Sequence, residues 1–313
     1  MKKENILITG AAGYLGSMLS TELVSLNYNV TAVDLLKYDK NSLSHLFGKK
    51  NFKFIKGDIR DIKTISKIIK KQDIIFPLAA LVGAPLCEKF KKNTKITNLD
   101  SINLLVKKLK RNQKLIYPTS NSGYGVGEKD KYCDENSPLN PISLYGVTKA
   151  EAEKIVLKFK NSVCFRLATV FGYSYRMRTD LLVNNFVERA VKDRKLDLFE
   201  PYFRRNFIHI SDVVSAFIFA INNFNKLKGG TYNLGLSNAN LTKYALAKKI
   251  KKKVKDLKIN IIKNKSDPDK RDYYVSNKKI EKAGFKPKVR IEDGIEELIQ
   301  LFKFTDVKFK NNY

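Results

Sequence analysis

Histidine is nearly missing from this chain. His45 and His209 are the only two in 313 residues, so a histidine triad or a multi-histidine metal centre has almost nothing to be built from. Cysteine is scarce too. Cys87, Cys133 and Cys164 are widely spaced with no Cys-x-x-Cys, which excludes a disulfide framework and a thiolate zinc site and suits a reducing cytoplasm. Any acid or base must therefore be another side chain. No apolar run reaches the roughly 18 residues of a membrane span. Lys2 and Lys3 precede an apolar stretch, but Glu4 and the glycines at 10, 13 and 16 break the pattern of a signal peptide. Arginine is the rarer cation, 11 of the 60 cationic residues, the rest being Lys spread along the whole chain. A net charge of +29 attracts anions such as nucleic acid from a distance, yet so even a distribution reads as compositional bias and not as a nucleic-acid face.

What is present is a length for one large or two modest domains with ample apolar material for a core. Apolar runs at 5–9, 30–33, 52–55, 74–80, 115–117 and 163–166 read as short strands with helical stretches between most of them. That alternation predicts an α/β fold, a doubly wound parallel sheet. From about Val170 the pattern becomes irregular, rich in aromatic and basic residues, and reads as a smaller C-terminal substrate lobe. The expected division is 1–170 for a cofactor-binding domain, with about 206–235 returning to it, and 171–313 mainly for the lobe. No internal repeat and no long Gly/Ser linker interrupts the chain.

The first run ends in Thr9-Gly10-Ala11-Ala12-Gly13-Tyr14-Leu15-Gly16. At a strand-to-helix junction Gly10 allows a tight turn, Gly13 lets backbone amides approach a pyrophosphate, and Gly16 permits close helix packing. Asp34 ends the second strand 18 residues after Gly16, where a carboxylate accepts both ribose hydroxyls of NAD and repels the 2′-phosphate of NADP. NAD is thus the expected cofactor. Asp58 and Ile59 follow the third strand and are expected at the adenine edge, with a turn as the equal alternative. Leu78, Ala79 and Ala80, at the end of the fourth run, complete the expected cofactor set.

Tyr145 and Lys149 stand at i and i+4, one helical turn apart on one face. An ammonium beside a phenol favours the phenolate and makes a usable general base. The segment Thr119-Ser120-Asn121-Ser122 follows a strand and offers a hydroxyl to the same place, or merely caps its loop.

Taken together in this order, the glycine pattern, acidic strand end, Ser/Thr loop and Tyr-x-x-x-Lys resemble the extended short-chain dehydrogenase/reductase family of nucleotide-sugar enzymes. The likeness covers nearly the whole chain, including the stretches at 165–172 and 205–209. It implies a Rossmann-like domain, NAD, a nucleotide-diphosphate sugar and a homodimer packed through the Tyr145 helix. It further implies that Ser120 hydrogen-bonds the reacting sugar oxygen, Tyr145 removes its proton and Lys149 holds the nicotinamide ribose. Arg205 matches the position that clamps the substrate diphosphate. The family's 4,6-dehydratases need a carboxylic acid and a carboxylate directly after the loop hydroxyl; Asn121 and Ser122 stand there instead, next to the substrate. What remains is oxidation at C4, ending as a dehydrogenase if the ketone leaves and as a 4-epimerase if the hydride returns. Val82 stands where UDP-galactose 4-epimerases carry a lysine. The stretches 77–87, 121–130 and 267–277, with Arg176-Met177-Arg178, resemble a branch that oxidises C4 of GDP-mannoheptose for surface polysaccharides. Arg176, Arg178 and Arg271 are accordingly expected at the substrate, and Tyr173, Tyr175 and Phe207 either stack on a base or pack a core. A non-catalytic NAD-sensing or RNA-binding relative is the alternative of another class, which the intact Ser120, Tyr145 and Lys149 oppose.

Overall fold

A computed structural model describes residues 3–128, 131–263, 271–305, 309, 311 and 312. The strands are β1 (Asn5–Thr9), β2 (Asn29–Asp34), β3 (Phe52–Lys56), β4 (Ile74–Pro77), β5 (Lys114–Ser120), β6 (Tyr132–Cys133) and β7 (Ser162–Leu167). They continue as β8 (Thr169–Phe171), β9 (Lys195–Leu198), β10 (Arg204–His209), β11 (Gly230–Leu234), β12 (Asn240–Thr242), β13 (Lys258–Ile261) and β14 (Tyr274–Val275). The helices begin with α1 (Tyr14–Ser25), α2 (Ile62–Ile69), α3 (Ala84–Lys89), α4 (Lys91–Lys95), α5 (Ser101–Lys108) and α6 (Leu144–Leu157). After them come α7 (Leu182–Lys192), α8 (Ile210–Asn222), α9 (Phe224–Leu227), α10 (Lys243–Lys253), α11 (Lys278–Lys282) and α12 (Ile291–Phe304).

Seven strands form one parallel sheet in the order β11-β7-β5-β4-β1-β2-β3. Helices cover both faces, so its central strands are buried on both sides and must be apolar throughout; in β4 all four residues are buried and in β1 four of five. The winding direction reverses between β1 and β4. At such a switch point the carboxyl ends of neighbouring strands diverge and leave a crevice. This is the doubly wound α/β fold that the alternation of apolar runs predicts.

One core lies on the α1–α8 face of the sheet, with Leu19, Phe76, Phe165 and Phe217, and a second on the opposite face, with Ile65, Leu105, Tyr117 and Val156. A third is separate, built around Val183, Leu196, Phe207, Leu246 and Leu298 from α7, β9, β10, α10 and α12. Phe207 is therefore a core residue and does not stack on a base. Tyr175 stacks instead on His45, ring centroids 4.1 Å apart. The chain leaves the large sheet after β7, enters a three-stranded sheet β12-β10-β8, and returns through α8 and β11.

Two details differ from the sequence pattern. The fourth run is strand only to Pro77, because Leu78–Ala80 must cross over the glycine turn. The strands after 170 are two to six residues long, too short for a periodic signal, and all but β11 pair outside the large sheet. Of the stretch 267–277 that resembles the heptose branch, residues 267–270 lie outside the described residues, as do 129 and 130 of the stretch 121–130.

Candidate active site

A cavity of about 680 Å³ opens at the β1/β4 switch point, between the carboxyl ends of the sheet and the residues that follow β8. Its cofactor end is built by the glycine turn. Gly10 has φ +71°, and a Cβ there would sit 2.6 Å from Ala79 N, so only glycine lets Leu78–Ala80 pass this closely. Gly13 is the N-cap of α1. Gly16 closes the helix against the turn itself, since a Cβ there would lie 2.2 Å from Gly10 O and 2.8 Å from Ala11 Cα. Replacing Gly16 by Ala must push the turn off α1. We expect Gly16→Ala to weaken NAD binding at least about tenfold by calorimetry, because the displacement shifts the N-terminus of α1, whose amides are expected to meet the phosphates.

Asp34 is fixed by accepting hydrogen bonds from Ala12 N (3.0 Å) and Leu36 N (2.7 Å). Burial raises its pKa, and these amides and nearby Arg176 oppose the rise. Leu36 itself is held at φ +56°, an unusual conformation for a branched residue. Tyr14 and Leu15 line the cavity, but the Tyr14 hydroxyl is spent on Gly172 O at 2.7 Å and ties α1 to the end of β8. Asp58 and Ile59 lie on the same wall; Asp58 is held by Arg60 and Ile59 sinks into the core with Ile65. The glycine turn at a helix N-terminus, followed by a carboxylate at the end of β2, fits NAD.

At the other end Ser120, Ser122, Tyr145 and Lys149 share the cavity wall. Ser120 ends β5 and caps the following turn, its Oγ accepting from Ser122 N at 3.1 Å and lying 2.8 Å from Ser122 Oγ. Ser143 caps α6 by accepting from Gly146 N at 3.2 Å, which sets Tyr145 in the first turn. Burial pushes the Tyr145 phenol up to about 12; Arg271, Ser120 and Arg178 pull against it. Among the described residues Lys149 makes no hydrogen bond to that phenol. Lys149, 5 % exposed, donates from Nζ to the Tyr117 hydroxyl at 2.9 Å, and burial draws its pKa down to about 7. The helix does put both residues on one face, but the lysine turns to β5 where a hydroxyl meets its buried donor. Sequence reasoning missed Tyr117 as that partner. Its signal was a tyrosine inside an otherwise apolar strand, whose buried hydroxyl must find a partner.

The four arginines expected at the substrate all line the cavity but do not act together. Arg271 Nη1 donates to Ser122 Oγ, and Arg205 Nη1 donates to the carbonyls of Arg271 and, at 2.9 Å, of Arg204. Arg178 is paired through Nε with Asp180 Oδ1 at 3.0 Å. Arg176 lies towards Asp34 and Tyr38. Asn121 is the exception among the expected site residues. It is buried off the cavity wall, and both polar atoms of its side chain lack partners among the described residues. In the tight turn after Ser120, adjacent side chains diverge, so Ser122 and not Asn121 faces the cavity.

Fold and site together define an NAD-dependent enzyme of the short-chain dehydrogenase/reductase type. The sequence profile of the NAD dependent epimerase/dehydratase family matches residues 6–235, and the chain belongs to that family. Human dTDP-D-glucose 4,6-dehydratase is 28 % identical over 98 % of this chain and 92 % of its own. An uncharacterised UDP-glucose epimerase of Bacillus subtilis is 30 % identical, covering 74 % of this chain and 76 % of its own. Among solved structures, UDP-glucuronic acid 4-epimerase from Bacillus cereus, in complex with UDP-glucuronic acid and NAD, has a TM-score of 0.83 and 25 % identity over 96 % of this chain and 99 % of its own. The fold is shared as well with dTDP-glucose 4,6-dehydratase from Bacillus anthracis in complex with NAD, TM-score 0.84 at 24 % identity over 97 % of each chain. No helix among the described residues is long and apolar enough to cross a membrane.

Proposed function

We propose that this protein oxidises the C4 hydroxyl of a nucleotide-diphosphate sugar and releases the 4-keto product, with GDP-mannoheptose as the substrate, in cytoplasmic synthesis of surface polysaccharide. The observation that carries this reading is the loop after Ser120. Asn121 and Ser122 occupy the two positions that follow the hydroxyl, neither ionises near neutral pH, and Ser122 is engaged by Arg271. Elimination of water across C5 and C6 needs an acid and a base there, so the site keeps the oxidative half of the family chemistry and lacks the dehydrating half. Bound NAD supplies the hydride acceptor. Tyr145 takes the hydroxyl proton, Ser120 holds the same oxygen by a hydrogen bond, and Lys149 holds the nicotinamide ribose. Arg205 and Arg271 face the diphosphate, where a guanidinium fork suits phosphate oxygens. The heptose rests on the resemblance of residues 77–87 and 176–178 to the branch that takes it. A homodimer packed through α6 belongs to the same reading.

Proton NMR of UDP- and GDP-sugars, GDP-mannoheptose included, incubated with purified protein and stoichiometric NAD is the direct test. We expect the C4 proton of GDP-mannoheptose to disappear as a keto or hydrated sugar forms. An inverted C4 in any of them makes the protein an epimerase, the activity that several relatives carry by name. Unchanged sugars throughout would overturn the reading in favour of a binding scaffold.

A further inference from the structure

Arg176 stands apart from the arginines of the catalytic loop. It follows β8, outside the glycine turn and its strands, yet it is tied to the start of α1. Ser174 Oγ donates to Tyr14 O at 2.6 Å and lies 3.1 Å from Ser17 Oγ, and Arg176 N donates to Ser174 Oγ at 3.2 Å. The guanidinium then lies over the Tyr38 ring, 5.0 Å from its centroid, and close enough to Asp34 to stabilise that carboxylate. The Ser174 hydroxyl, which ties its backbone to α1, and the Tyr38 ring under its guanidinium thus set it between the N-terminus of α1 and the end of β2.

This side chain is only 2 % exposed and lines the cavity, but its hydrogen bonds are poor. Nη1 has a 3.5 Å contact to Met177 O, and Nη2 has no partner among the described residues. Asp34 makes no hydrogen bond to it, its oxygens accepting instead from the backbone amides of Ala12 and Leu36. A buried guanidinium with an unmet donor is costly, and an anion with oxygens in a plane is what satisfies it. The α1 N-terminus beside it presents amides to the same anion.

We propose that Arg176 is a ligand of the NAD pyrophosphate, carried from beyond the nucleotide-binding strands onto the glycine turn, and not a substrate residue. The dinucleotide is thereby clamped between α1 and the segment after β8. The diphosphate of the nucleotide sugar shares this chemistry, so the test separates the two. The inference rests on the family's NAD and not on the identity of the sugar; an unchanged sugar in the NMR test leaves it standing.

Calorimetry on the cofactor-stripped full chain, titrated with NAD, ADP-ribose and GDP, decides it. Arg176→Gln is expected to weaken NAD and ADP-ribose by about 10- to 100-fold and leave GDP within about twofold. Arg176→Lys keeps the charge but loses the fork, and should weaken NAD by at least about threefold; it decides the matter if Arg176→Gln does not fold. GDP weakened with NAD unchanged would make Arg176 a substrate ligand, and no change in either would leave it structural. Both results overturn the proposal.

Discussion

Tyr145→Phe is expected to lower the rate of sugar oxidation by about 10²- to 10⁴-fold, the usual contribution of a positioned general base, while NAD affinity stays within about twofold. The phenol oxygen is the only atom lost. The groups expected to hold the cofactor's phosphates and adenine ribose, the N-terminus of α1 after the glycine turn and Asp34, are not touched by the substitution. A pH profile of the native enzyme gives the second readout. Burial holds the phenol at about 12, so the active phenolate is a small fraction at neutrality and grows with pH. In the proposed reaction kcat/KM therefore rises from pH 6 to pH 9, and this rise disappears in Tyr145→Phe. A flat native profile, or a Phe variant with unchanged turnover, would remove Tyr145 from the role of base.

Glu153→Gln should destabilise the protein by about 3–5 kcal/mol, seen as a fall in melting temperature of roughly 5–10 °C. Glu153 lies on α6, one turn beyond Lys149, and its carboxylate accepts from Arg166 Nη2 at 2.7 Å and Nε at 3.1 Å. The pair is almost wholly buried, with side chains 4 % and 7 % exposed. Arg166 Nη1 also donates to the Tyr124 hydroxyl at 2.9 Å and to Glu135 O at 3.3 Å, so its charge cannot swing out to water when the carboxylate goes. The large loss comes from stranding that guanidinium, not from the intrinsic worth of the pair. Replacing both partners by Met should accordingly recover most of the stability. Glu153 also supports the Lys149 ammonium, so the single variant lowers the lysine's pKa further. A single variant that melts with the native protein would show the pair to be dispensable.

Local spacing carried much of this protein in its sequence. Gly10, Gly13 and Gly16 at the start of α1, the apolar runs of β1, β2, β4, β5 and β7, and the shared face of Tyr145 and Lys149 on α6 all depend on residues near one another in the chain. Turn conformation, helix face and strand burial follow from such spacing, and so does the doubly wound order. Tertiary structure alone decided where the charged side chains went. Lys149 turns to Tyr117, 32 residues away, and Arg166 closes on Glu153 across the helix–sheet interface. The four arginines divide between the catalytic loop, Asp180 and the cofactor end. Asn121 turns off the wall that its neighbours line. A long side chain has several rotamers of similar energy, and the choice among them falls to whichever distant donor, acceptor or ring the folded chain brings within reach.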